Sequence, residues 1–349
     1  MPTAGGVAAL PQIDFTPFNE DAGVVIGEPA TAGQREVAAQ IDAACRDHGF
    51  LLLSNFGIPA ALQEQAFAAS SELFGQSEEQ KALLPRHVPE TNIGFAPFQT
   101  EVTGGGSRAP DLKEAFNVRS RHIYDNVFEG APAGFEPMTE RLWDAAHQAA
   151  RRYILACELA LGLERGFFLR CFDRFDLSTM RFLHYPPCAV PEPDAGPAAS
   201  LRVAEHTDFG MFTYLLLGEG ARGLQVKPVE GGVVTAEEEG WLDAVVPDGA
   251  ASVPGGSAIV NTGAQMAMWT NDVWRATAHR VVVPDAEAAA ADRYSIALFW
   301  DPDAEARIEV HPSLVPAGEE PKYPPTTGLE FLMKQIRAGI VAREGRPPL

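Results

Sequence analysis

The chain has 349 residues, 46% of them apolar, enough to bury a substantial core as one large domain or two. Its 27 basic residues stand against 47 acidic ones, a net charge of −20 that repels phosphate backbones and anionic membranes and argues against nucleic acid as a partner. Four cysteines (Cys45, Cys157, Cys171, Cys188) without CxxC spacing, no signal-peptide pattern in residues 1–10 and no long apolar run lead us to expect a reduced, cytoplasmic compartment and no membrane span.

Residues 11–15 form a short apolar opening, expected as an edge strand. Across 34–48, Val37, Ile41, Ala44 and Cys45 recur at helical spacing. Gly49 then stops the helix ahead of a short buried strand, Phe50-Leu51-Leu52-Leu53. Pro59 opens a second helix that carries Leu62, Phe67 and Leu73 and ends at Gly75, and Ser77-Glu78-Glu79-Gln80 fits a capping box. From 88 to 134 periodicity is poor, and the glycine-rich turn 104–106 reads as a surface loop or a hinged lid. A long helix follows, marked by Leu142, Ala146, Ala149, Tyr153, Ala156, Ala160 and Leu163, with Gly162 and Gly166 at its exit.

After Phe172 the texture changes to short apolar runs broken by Gly, Pro and Asp. Segments 180–185, 201–207, 211–217, 223–226, 257–260, 278–283 and 294–300 are expected strands, and many short strands at this spacing argue for a sandwich or barrel. Stretches 186–197 and 229–249 read as loops, and 328–342 as a terminal amphipathic helix. The fold class expected is mostly β with flanking α.

The chemistry concentrates in His206-Thr207-Asp208. Alternate residues of a strand share a face, so an imidazole and a carboxylate two apart project into one cavity. His279, in the later run Ala278-His279-Arg280-Val281, is the candidate for a third ligand. Two imidazoles and one carboxylate make a facial triad that holds Fe(II) and leaves positions open for other ligands. Arg293 and Ser295 are again two apart in an otherwise apolar strand. A guanidinium there calls for an anion, which it can grip with two parallel hydrogen bonds while the hydroxyl adds a third. Gly218-Glu219-Gly220-Ala221-Arg222-Gly223 satisfies GxGxxG formally, yet a strand follows rather than the helix that a dinucleotide site needs.

Taken in this order, His206-Thr207-Asp208, Ala278-His279-Arg280-Val281 and Arg293-x-Ser295 resemble the 2-oxoglutarate- and Fe(II)-dependent oxygenases related to isopenicillin N synthase. Gln12-Ile13-Asp14, Cys45-Arg46-Asp47-His48-Gly49-Phe50, Asn55-Phe56-Gly57-Ile58-Pro59, Asp111-Leu112-Lys113-Glu114-Ala115-Phe116, His184-Tyr185-Pro186-Pro187, Gly223-Leu224-Gln225-Val226 and Val260-Asn261-Thr262-Gly263 extend the likeness over about residues 11–303. Leu183, Phe56 and Ala264 depart from the residues common in the family at those places. The resemblance implies a double-stranded β-helix (jelly-roll) core over 175–303, a helical N-terminal region over 11–125, a connecting helical segment over 126–174, and a C-terminal helix and tail over 304–349.

It further implies that His206, Asp208 and His279 bind Fe(II), that Arg293, Ser295 and Tyr185 hold the far carboxylate of 2-oxoglutarate, and that O2 is the oxidant. Family position places Phe98, Thr103, Phe116, Phe209, Trp269 and Trp300 around the substrate. The implied reaction is hydroxylation, desaturation or oxidative cyclisation of a small molecule, with release of succinate and CO2, by a monomer or weak homo-oligomer. Two alternatives stay open from the residues: an Fe(II) oxidase that needs no 2-oxoglutarate, and a zinc hydrolase or non-catalytic metal-binding β-barrel with the same three ligands.

Overall fold

Local signals set the first helices of the computed structural model, which describes residues 7–8, 10–19, 29–103, 109–190, 201–227, 241–246 and 253–343. The first half of the chain forms β1 (Val7–Ala8), β2 (Gln12–Asp14), α1 (Thr16–Asn19), α2 (Ala32–Asp47), β3 (Phe50–Ser54), α3 (Ala60–Phe74), α4 (Glu78–Lys81), β4 (Gly94–Ala96), β5 (Glu114–Arg119) and α5 (Phe135–Ala160). Thr31 and Gln34 form a capping box on α2, and Ser77 and Gln80 form the one expected on α4. Gly49 leaves α2 with φ +67°, and a Cβ there would collide with Thr277 Oγ1, so this turn requires glycine.

The second half is strand-rich: β6 (Thr179–Tyr185), β7 (Leu201–His206), β8 (Phe212–Leu217), β9 (Leu224–Val226), β10 (Leu242–Ala244), β11 (Ser257–Thr262), α6 (Ala264–Trp269), β12 (His279–Val282), α7 (Ala286–Ala290), β13 (Arg293–Trp300), β14 (Arg307–Ile308), β15 (Thr326–Thr327) and α8 (Gly328–Arg343). All seven expected strands are present, and so are the edge strand at the opening and the C-terminal helix. An eight-stranded sheet runs β2-β3-β11-β8-β13-β6-β5-β4 and a five-stranded sheet runs β1-β10-β9-β12-β7. Together they make the jelly-roll.

Strand alternation divides the core in two. Along β13, Ile296, Leu298 and Trp300 face the helices, where they join Ile41 of α2, Leu73 of α3 and Leu142 and Tyr153 of α5. Ala297 and Phe299 face the barrel interior with Leu183, Leu215, Leu217, Val203, Leu224 and Val281. Arg293 and Ser295 share the parity of Ala297 and Phe299. The site therefore lies between the sheets, and the helices support the back of the larger one.

Three expectations need correction. Segment 88–134 is not featureless: β4 and β5 sit at the end of the large sheet. The sequence Glu-Ala-Phe-Asn-Val-Arg of β5 is buried along its whole length, its polar residues included, so it carries no apolar alternation to read. Within 229–249, Leu242–Ala244 is a strand paired with β9 rather than loop. Neither α6 nor α7 was anticipated, being too short for a period to show. The glycine turn 104–106 and most of 229–249 lie outside the described residues. Among the described residues no helix is long and apolar enough to cross a membrane.

Two carboxylates fasten the start of the barrel to its end. Asp303, just past β13, accepts from the backbone N–H groups of Asp173 at 2.8 Å and Arg174 at 2.9 Å. Asp176 returns the contact, its Oδ1 accepting from Ala304 N at 2.8 Å.

Candidate active site

His206 is the last residue of β7 and His279 the first of β12, and the two strands pair so that these residues lie opposite each other. Their ring centroids are 4.3 Å apart. Asp208 lies past the end of β7, in the turn to β8, so strand alternation is not what brings it there. The turn is held by α6: Ala264 N donates to Asp208 O at 2.8 Å and Gln265 N to Phe209 O at 2.9 Å. A Cβ on Gly263 would strike Gly210 O, so the close backbone contact that holds this turn depends on glycine.

The three side chains converge. One ligand atom from each lies within 4.8 Å of the others, and Asp208 Oδ1 is 3.7 Å from both His206 Nε2 and His279 Nε2. His206 Nδ1 donates to Ala204 O at 2.7 Å and His279 Nδ1 to Thr277 O at 3.2 Å. Each bond fixes a tautomer that leaves Nε2 with its lone pair turned to the common centre. Asp208 Oδ2 accepts from Thr213 Oγ1 at 2.6 Å and Asn261 Nδ2 at 2.7 Å, which leaves Oδ1 for the centre.

Electrostatics favour the same protonation states. Burial, then the neighbouring His279, depresses His206 to about 4, so it stays neutral. Burial works against ionised Asp208, but His279, His206, Thr213 and Asn261 outweigh it and hold its carboxyl below the usual range. A neutral, oriented His2Asp set is what a divalent first-row metal needs.

At the other end of the interior, Arg293 is buried and faces Tyr185 across the β13–β6 pair. Its guanidinium carbon lies 4.7 Å from the Tyr185 ring centroid, and its Nε donates to Arg222 O at 3.0 Å. Burial works against this cation; Tyr185 counters it in part, and the charge of Arg202 adds to it. Among the described residues its Nη1 has no partner. A buried guanidinium with an orphaned N–H fits an incoming carboxylate. Ser295, also buried, is on the next interior position.

The expected substrate wall divides. Phe209, beside Asp208, and Phe98 are each more than a third exposed, in keeping with a rim position. Thr103 belongs to a polar cluster with Asp111 and Lys113. Phe116, Trp269 and Trp300 are corrected: all three belong to the buried core on the helix side. Phe116 packs edge-on to Phe135 at 5.4 Å, Trp269 on Phe168 at 4.7 Å, and Trp300 against Phe175 at 5.6 Å. The parity of β5 and β13 turns Phe116 and Trp300 away from the interior, and Phe299 is the aromatic residue of β13 that faces it. Arg181, Asn117, Glu101 and Lys113 are interior or rim groups that sequence reading passed over, since isolated polar residues in short strands give no periodic signal.

A family model described as non-haem dioxygenase in morphine synthesis N-terminal matches residues 10–134, and one described as 2OG-Fe(II) oxygenase superfamily matches residues 177–302. The validamycin A dioxygenase of Streptomyces hygroscopicus subsp. limoneus is 30% identical over 86% of this chain and 80% of its own. A 2-oxoglutarate-Fe(II) type oxidoreductase of Emericella nidulans is 28% identical over 91% of this chain and 87% of its own. Among solved structures, a full-length Neurospora crassa protein in complex with alpha-KG and thymine superposes with a TM-score of 0.75 at 28% identity, covering 97% of this chain and 98% of that one. The matches run through both the helical region and the barrel and favour the cosubstrate-dependent reading over the oxidase and zinc alternatives. The chain belongs to the 2-oxoglutarate- and Fe(II)-dependent oxygenases of the isopenicillin N synthase-like superfamily, dioxygenases that use Fe(II), 2-oxoglutarate and O2.

Proposed function

We propose that this protein oxidises a small-molecule metabolite by hydroxylation, desaturation or oxidative ring closure, with His206, Asp208 and His279 holding Fe(II) and with Arg293, Ser295 and Tyr185 binding the far carboxylate of 2-oxoglutarate. The observation that carries this reading is the orientation of the triad, in which both Nδ1 atoms are committed to backbone carbonyls and Asp208 Oδ2 to two donors. Bound iron, with the 2-oxo acid and O2, would supply the oxidising power to break an unactivated C–H bond while the cosubstrate leaves as succinate and CO2. Everything else falls to the chain. Arg293 neutralises and aims the cosubstrate's carboxylate, with the Ser295 hydroxyl on the same face. Leu183, Leu215, Leu217, Val203 and Val281 keep the space around the cosubstrate dry, which strengthens every polar contact made inside it. The small molecules named with relatives, validamycin A and thymine, are consistent with this scale of substrate.

The test is anaerobic loading with Fe(II) and then 2-oxoglutarate, watching for the weak visible charge-transfer band of the chelate. We expect the band in the native protein, its loss in His279→Ala with the iron, and its loss in Arg293→Met with iron retained. Iron binding that is indifferent to His279→Ala would overturn the triad, and a band unchanged in Arg293→Met would overturn the carboxylate site.

A further inference from the structure

The barrel interior has a polar flank beside its apolar one. On the face that carries Ala115 and Leu183, Arg181 of β6 pairs directly with Asn117 of β5 and, on its other side, with Ala297 of β13. This rung is the next interior one after that of Ser295 and Leu183. Glu101 and Asp111 come together beside it: Asp111 N donates to Glu101 O at 2.8 Å, and Leu112 N donates to Arg202 O at 3.1 Å, which ties this pair to the strand that ends in His206. Glu101 pairs with Arg181, while Lys113 Nζ lies 3.7 Å from the Glu101 carboxylate and 2.5 Å from that of Asp111.

Two features of this wall bear on what it can receive. Among the described residues its charges balance, with Arg181 and Lys113 against Glu101 and Asp111, so a ligand with net charge would leave a buried charge without compensation. Its hydrogen bonds do not balance. Among the described residues Arg181 Nε, a donor, and Asn117 Oδ1, an acceptor, are buried without partners on adjacent strands of one rung. Arg181 Nη2 is committed to Glu101, and Asn117 Nδ2 to Asn92 Oδ1 at 2.8 Å.

We propose that the substrate is a small neutral molecule with a cis-amide edge, as in a lactam, an imide or a cyclic urea, its carbonyl oxygen accepting from Arg181 Nε and its N–H donating to Asn117 Oδ1. Such an edge places one acceptor and one donor side by side in a rigid plane and satisfies both orphaned atoms without adding charge. Arg181 is thus the specificity-determining anchor, with Glu101 as the positioning residue that holds its outer edge. The inference rests on the assignment of iron and 2-oxoglutarate given above, because the cosubstrate must occupy the line from the triad to Arg293 for the polar flank to be left to substrate.

The test uses the anaerobic Fe(II)·2-oxoglutarate protein and three ring probes, 2-piperidone, N-methyl-2-piperidone and cyclohexanecarboxylate, with binding read from relaxation of the probe protons by the nearby paramagnetic iron. We expect 2-piperidone to bind, N-methylation to weaken it about tenfold or more, the carboxylate to bind more weakly still, and Arg181→Met to weaken 2-piperidone about tenfold while the visible band persists. Preference for the carboxylate, indifference to N-methylation, indifference to Arg181→Met, or no relaxation of any lactam would each overturn the proposal. The N-methyl comparison needs only the native protein, so it decides the matter even if Arg181→Met does not fold. Absence of the visible band in the native protein would instead mark failure of the cosubstrate assignment.

Discussion

Replacing Asn261 by Leu tests the site at one atom. Asn261 is buried on β11, and its Nδ2 donates to Asp208 Oδ2 at 2.7 Å, while Thr213 Oγ1 donates to the same oxygen at 2.6 Å. Leucine keeps the branched shape, at a larger volume, and removes one of the two donors. A hydrogen bond to a buried charged group contributes about 1.5–3 kcal/mol, and each 1.4 kcal/mol is about tenfold in an equilibrium constant. The loss acts on metal binding because the donors hold Asp208 ionised and fix which oxygen faces the histidines. Iron affinity should therefore fall by about ten- to a hundredfold, the range over which such supporting contacts act at metal sites. Anaerobic titration of the apo protein with Fe(II) against a chromophoric chelator measures it, and Thr213→Val should give a fall of similar size. An Asn261→Leu protein that keeps its fold and binds iron within about threefold of the native protein would refute the reasoning, since a donor to a ligand carboxylate cannot be silent.

Trp300→Ala should lower stability by about 3–5 kcal/mol, as deletion of a fully buried indole does, while iron and 2-oxoglutarate still bind. Thermal melts alongside the visible band check this, and lost binding with unchanged stability would restore Trp300 to the pocket wall. Asp301 is the titration to follow. Burial, only partly countered by Arg119 and reinforced by Asp208, pushes its carboxyl up to about 7, against 3.8 for the unperturbed group. Between those values the folded apo protein binds a proton that the unfolded chain does not, so this group makes stability fall as pH rises from about 4 to about 7. Asp301→Asn should match the native apo protein near pH 4 and exceed it increasingly towards pH 8, as read from denaturant midpoints. Parallel pH curves for the two proteins would show that Asp301 ionises freely.

Much of the fold was legible because its signals are local. Ser77 and Gln80 announce a helix start through their own hydrogen bonds, and β8 and β13 are apolar runs long enough to mark themselves. The triad was legible too, but strand alternation is not the reason its members meet. His206 and Asp208 share a cavity because Gly263 and α6 hold the turn after β7, not because both belong to one strand. The substrate wall was the part least open to sequence reading. Trp300 and Phe299 are neighbours in the chain, and only the register of β13 against β6 and β8 decides that the first supports the helices while the second faces the interior. β5 escaped notice because Glu114, Asn117 and Arg119 are polar and their hydrogen bonds reach groups distant in the chain, Lys81, Asn92 and Asp176.

The reciprocal bonds of Asp303 and Asp176 join groups 127 to 130 residues apart. On a ribosome, the segment at 173–176 emerges well before its partner is made, and β6 waits with it for β13, its neighbour in the large sheet. Closing so long a loop costs entropy before any contact repays it, and during that interval the interior faces of β6, β7 and β8 lack their covering strands. The nascent chain thus exposes unpaired strands until nearly 300 residues have been synthesised, and slowing translation late in the message should harm its yield more than slowing it early.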